Sequence, residues 1–131
     1  MYKTILCAIE ASPEGKKVLT QASKLAELYG SELMVVSAIP YTLLPSNLQK
    51  KLKDEISPLI EKIIAPFGIP RKNCYIKIGK PYAVICKEAG RRKADLIILG
   101  THSKKGLQSA VGSTATGVAN NARCDVTLFR L

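Results

Sequence analysis

The sequence predicts a doubly wound α/β domain in which five mostly parallel strands alternate with four helices. Two features carry this prediction. Short apolar runs, among them Ile5, Leu6, Cys7, Ala8 and Ile9 and then Leu96 through Leu99, are unbroken by polar residues, as in strands buried on both faces of a parallel sheet. Between such runs lie longer segments of helical period, such as Val18, Ala22, Leu25, Ala26 and Tyr29, and strands alternating with helices build a parallel sheet through right-handed crossovers. With 131 residues, 47% of them hydrophobic, a single domain over residues 1–131 buries enough surface to need no disulfide or metal.

Taken in order, residues 2–10 form the first strand. Ser12 and Pro13 supply an N-cap followed by proline at the first helical position, and Gly30 supplies a left-handed stop, so the first helix ends near Tyr29. Residues 32–39 form a second strand ended by Pro40. Leu48, Leu52, Ile56, Leu59, Ile60 and Ile63 mark a second helix that Pro58 kinks or splits. Residues 72–78 read as an edge strand with Lys77 outward, and Gly79-Lys80-Pro81 turns into a third helix whose inner face is Val84, Ile85 and Ala89. The Leu96 run is the fourth strand. Val111, Ala115, Val118, Ala119 and Ala122 follow as a fourth helix, and a last strand runs from Asp125 at one end to Leu131 at the other.

The net charge of +10 is unevenly placed: residues 1–61 hold 7 basic and 7 acidic side chains, residues 62–131 hold 13 and 3. Such asymmetry suits anionic partners, or it serves solubility alone. Nucleic acid is the less expected partner, since two Phe and five Tyr do not interleave with the positive residues as stacking platforms would. Four cysteines, Cys7, Cys74, Cys86 and Cys124, form no C-x-x-C pair and have only His102 to join them at a metal; reduced, non-catalytic thiols are expected. There is no secretory pattern at the start and no apolar run of membrane-spanning length, so a cytoplasmic protein without a membrane partner is expected.

Between the fourth strand and fourth helix, Gly100, Gly106 and Gly112 punctuate a loop that also holds Lys104 and Lys105. Gly112-Ser113-Thr114 falls where a helix begins, with hydroxyls available to cap free N–H groups. Helix N-termini attract phosphate through unpaired N–H groups and the positive end of the dipole. The same glycines also serve simply to turn the chain, and the spacing matches neither a Walker A loop nor G-x-G-x-x-G. Ligands of doubly wound sheets bind where strand order reverses. With strands one and four as central neighbours, Ala8, Ile9 and Glu10 face the Gly100 loop there, and Glu10 can accept hydrogen bonds from ribose hydroxyls or an adenine amino group.

Several segments in order resemble the universal stress protein family: M-Y-K-T-I-L-C-A-I-E-A-S, Y-G-S-E-L-M-V-V-S-A, G-K-P, A-D-L-I-I-L-G-T-H, G-S before the fourth helix, and C-D-V-T-L. The resemblance spans essentially the whole chain. It implies a Rossmann-like domain, a homodimer, and an ATP site with Mg²⁺ whose pattern is glycine, two residues, glycine, nine residues, glycine, then Ser or Thr. By position, Gly100 matches the first glycine, while Gly112 and Ser113 match the last pair, as triphosphate contacts. His102 lies within the pattern and contributes backbone. Ser103 stands in place of the second glycine, and the loop from there to Gly112 holds eight residues. Glu10 replaces the usual aspartate, and Ala8, Ile9 and Ala38 match positions lining the adenine pocket. The candidate nucleotide-binding set is thus Ala8, Ile9, Glu10, Ala38, Gly100, Thr101, His102, Ser103, Gly112, Ser113 and Thr114.

The function expected is ATP-dependent regulation in a stress response, acting through contacts with an unidentified protein partner or through a dimer joined along the last strand. The alternative is an interaction dimer of the same fold that binds no nucleotide. One histidine and no carboxylate cluster compose no catalytic set beyond slow ATP hydrolysis.

Overall fold

The computed structural model describes residues 1–40, 43–101 and 111–131. The chain runs β1 (Thr4–Ala8), α1 (Pro13–Tyr29), β2 (Glu32–Ile39), α2 (Ser46–Ile64), β3 (Cys74–Ile78), α3 (Pro81–Arg91), β4 (Leu96–Thr101), α4 (Ser113–Asn121) and β5 (Asp125–Arg130). Two short 3-10 turns, Ala65–Phe67 and Arg71–Asn73, lead from α2 into β3, so β3 begins later than the apolar pattern alone suggests. All the strand pairs are parallel, in the order β3-β2-β1-β4-β5. The sheet grows outward from β1 to β3, then crosses back to β4 and grows the other way. Strand order therefore reverses between β1 and β4, as the sequence predicts.

Side-chain alternation divides the core into two layers. Ile5, Cys7 and Ile9 of the first strand region join Val18, Leu19 and Ala22 of α1 and Ile60 and Ile64 of α2 on one face. Leu6, one step out of phase, joins Ile85 of α3 and Ala115 and Val118 of α4 on the other. A strand covered on both faces reads as a near-continuous apolar run. At the end of the sheet where the strands begin, the Asp95 carboxylate accepts the Lys3 and Thr4 N–H groups, each at 2.9 Å. The Tyr2 hydroxyl donates to Asp125 at 2.8 Å.

The helix ends follow their local chemistry. Ser12 caps α1 from an extended backbone and accepts from the Gly15 N–H, while Gly30 closes the helix at φ 65°, where a side chain would be strained. Pro58 neither splits nor ends α2, which is continuous through it. The exposed ring costs the Asp54 carbonyl its helical donor, and the neighbouring Ser57 hydroxyl bonds back to the Lys53 carbonyl at 2.7 Å. Only Ile60 and Ile64, both beyond Pro58, are buried in this helix.

The inner face of α3 differs from the apolar expectation. Val84 is only half-buried, whereas Glu88 is buried beside Ile85 and Ala89. Its carboxylate is held by Arg91 and Arg92, each at 3.3 Å, and the Arg92 guanidinium lies 4.0 Å from the centroid of the Tyr75 ring. Two of the basic residues of the second half are thus committed to holding this carboxylate.

Candidate functional site

The carboxyl ends of β1, β2 and β4 open into a cleft of about 490 Å³, closed laterally by the first turns of α1, α3 and α4 and by Ile56 of α2. Its size falls within the range of small-molecule sites. All nine described members of the expected set line it: Ala8, Ile9, Glu10, Ala38, Gly100, Thr101, Gly112, Ser113 and Thr114. His102 and Ser103, with Lys104, Lys105 and Gly106, lie outside the described residues.

On the β1 side, the Ile9 N–H donates to the Val36 carbonyl at 3.0 Å, extending the β1–β2 ladder to the cleft. The Glu10 carbonyl accepts the Ser12 N–H at 2.9 Å. A Cβ at Gly15 would stand 2.2 Å from that carbonyl oxygen, so only glycine lets the first turn of α1 lie this close. Sequence reasoning passed over Gly15; a glycine in a helix's first turn was the available signal.

On the β4 side, the two retained glycines have different physical reasons. A Cβ on Gly100 would stand 2.7 Å from Cγ2 of Val18 and 2.6 Å from Cδ1 of Leu131, so packing alone requires glycine there. Gly112 has φ −61° and ψ 157°, open to any residue, and among the described residues a Cβ there would meet only the Thr101 hydroxyl, at 3.4 Å. Thr101, buried at the end of β4, accepts the Gly112 N–H at 2.9 Å through Oγ1. The expected capping by the Ser113 and Thr114 hydroxyls is not what forms: α4 has no side-chain cap. The first helical bond runs from the Thr116 N–H to the Gly112 carbonyl, and helix geometry leaves the Ser113, Thr114 and Ala115 N–H groups without an intrahelical acceptor.

The described lining holds two carboxylates, Glu10 and Glu14, and no Lys or Arg. It includes Ser37, a serine interrupting the apolar run of β2, which sequence reasoning also missed. None of the four cysteines lines the cleft. All four are free thiols, and burial is the first cause pushing each above its ordinary pKa, most strongly at fully buried Cys7.

Fold and site together define a doubly wound α/β protein with a small-molecule cleft at its switch point. The chain belongs to the universal stress protein family, whose model it matches over residues 1–130. A universal stress protein from Thermus aquaticus is 33% identical over an alignment spanning 99% of this chain and 100% of the relative. Among solved structures, a protein of unknown function from Pseudomonas aeruginosa superposes with a TM-score of 0.78 at 23% identity over 98% of this chain. The chain spans about half of that longer protein, 47% of its length. A universal stress protein solved in complex with cAMP superposes with a TM-score of 0.62 at 21% identity, covering 98% of this chain and 96% of that one. Among the described residues no helix is long and apolar enough to cross a membrane, and no three His, Cys, Asp or Glu side chains gather to hold a metal.

Proposed function

We propose that this chain is a cytoplasmic regulatory protein that binds ATP with Mg²⁺ in the switch-point cleft and transmits nucleotide state to a protein partner or across a homodimer. The observation that carries it is the start of α4 at the cleft, where the Ser113 and Thr114 N–H groups have no intrahelical acceptor. Among the described residues Gly112 is required neither by its backbone angles nor by packing, and a glycine before the Ser113 and Thr114 N–H groups adds no side chain between them and an anion. Ala8, Ile9 and Ala38 supply an apolar wall for the base, and Glu10 supplies an acceptor for ribose hydroxyls. Mg²⁺ would enter with the phosphates rather than through a dedicated protein ligand set. The universal stress protein solved with cAMP is a precedent within the fold for an adenine nucleotide.

The alternative, an interaction dimer that binds no nucleotide, is favoured by one observation: the described cleft lining carries Glu10 and Glu14 but no cation. Thermal unfolding at rising ATP separates the two. A ligand of the folded state stabilises by mass action, about 2.7 kcal/mol at a hundred times its Kd, so a saturable rise in Tm is expected, smaller for AMP. A Tm independent of ATP selects the interaction dimer.

A further inference from the structure

We propose that Ser37 is a ligand-contacting residue whose hydroxyl hydrogen-bonds the polar edge of a nucleobase at the β2 end of the cleft. The inference deepens the nucleotide-binding function proposed above and rests on it. Ser37 lines the cleft and is 3% exposed. Its side chain has no hydrogen-bond partner among the described residues, yet none of the sealed side-chain N or O atoms there lacks one. Its oxygen is therefore open, and for so buried a residue the opening is the cleft it lines.

The surroundings make this hydroxyl conspicuous. On β2, Ser37 alternates with Val36 and Ala38 and so shares the face of Val35 and Ile39, and Ile9 and Ile56 line the same cleft. An open hydroxyl without a protein partner among the described residues, set in an apolar wall, is a polar handle that a ligand can take up in place of water. A nucleobase presents the complement, an apolar ring with donors and acceptors along its edge. Position sets which end of the nucleotide arrives here. β2 and β4 flank β1, and adjacent strands lie about 4.8 Å apart, so Ser37 stands about 10 Å across the sheet from the Gly100–α4 side. With phosphate at the start of α4, the base reaches β2.

Calorimetric titration of ATP and AMP into wild-type protein, Ser37→Ala and Gly112→Glu tests this, with urea unfolding of each ligand-free protein. Ser37→Ala is expected to weaken ATP and AMP by the same factor, about ten-fold or 1.4 kcal/mol, because both carry the same base. Gly112→Glu is expected to weaken ATP more than AMP. Ligand-free Ser37→Ala should unfold at the wild-type urea concentration or above it, since no protein partner is lost. Wild-type affinity in Ser37→Ala overturns the proposal, and so does a clearly lowered urea midpoint, which would make the hydroxyl structural. Wild-type protein that binds neither nucleotide overturns the nucleotide-binding function itself, and Ser37's role with it.

Discussion

Gly100 and Gly112 stand in matching places in a family pattern, but single-residue chemistry separates them. At Gly100 an added methyl meets Cγ2 of Val18, a buried β-branched side chain with little freedom to turn aside. Gly100→Ala is expected to cost about 1–3 kcal/mol in urea unfolding. Gly112→Ala, which among the described residues meets only the Thr101 hydroxyl at 3.4 Å, should cost under about 1 kcal/mol. Equal costs would refute the separation. Cys7 carries a second prediction at this scale. Burial raises its folded-state pKa far above the ordinary value near 9, so the folded protein keeps the proton that the unfolded chain releases. The stabilisation is complete below about pH 9 and is lost as pH rises beyond it. Between pH 9 and 10.5, Cys7→Ala should remove about 1.4 kcal/mol per pH unit from the alkaline fall in stability. An unchanged slope would contradict a sealed thiol.

At the scale of elements, legibility followed locality. The bounds of α1 were readable because Ser12, Pro13 and Gly30 act within one turn of the helix ends. The burial of Glu88 was not, because an apolar count ranks a carboxylate as a surface residue. Arg91 and Arg92, three and four positions on, were the available signal. Glu88→Gln keeps the shape and removes the charge, while both guanidiniums retain access to water. It should cost about 1–2 kcal/mol, and no loss of urea stability would mean the two ion pairs contribute nothing. The Thr101 clip on Gly112 was likewise illegible, since it joins residues eleven positions apart in the sequence. Pro58 was legible as a residue that kinks or splits α2, and the split does not form. A helix lacking one donor persists where Ile60 and Ile64 anchor the turns beyond it.

At the scale of the whole molecule, topology was legible because alternating strands and helices admit few arrangements, and the switch point between β1 and β4 located the cleft before any geometry was known. The homodimer we propose is joined along β5. Among the described residues β5 pairs only with β4, and its residues from Val126 to Phe129 are half-buried. The Leu131 N–H points to the Thr101 carbonyl. Successive N–H groups of an extended strand alternate in direction, so that of Val126 points to the open edge. Val126→Pro therefore deletes an outward donor while leaving the β4 ladder its bonds. Sedimentation should show a wild-type dimer and a folded Val126→Pro monomer; a folded variant that stays dimeric would remove β5 as the interface.

The most direct test of nucleotide control is calorimetric titration of ATP with Mg²⁺ into nucleotide-free protein at physiological salt, with AMP for comparison and Gly112→Glu as the blocked variant. Micromolar ATP binding, weaker for AMP and abolished in Gly112→Glu, is the predicted result. Folded wild-type protein that releases no heat of binding, or a Gly112→Glu variant that binds ATP as tightly as wild type, would contradict it.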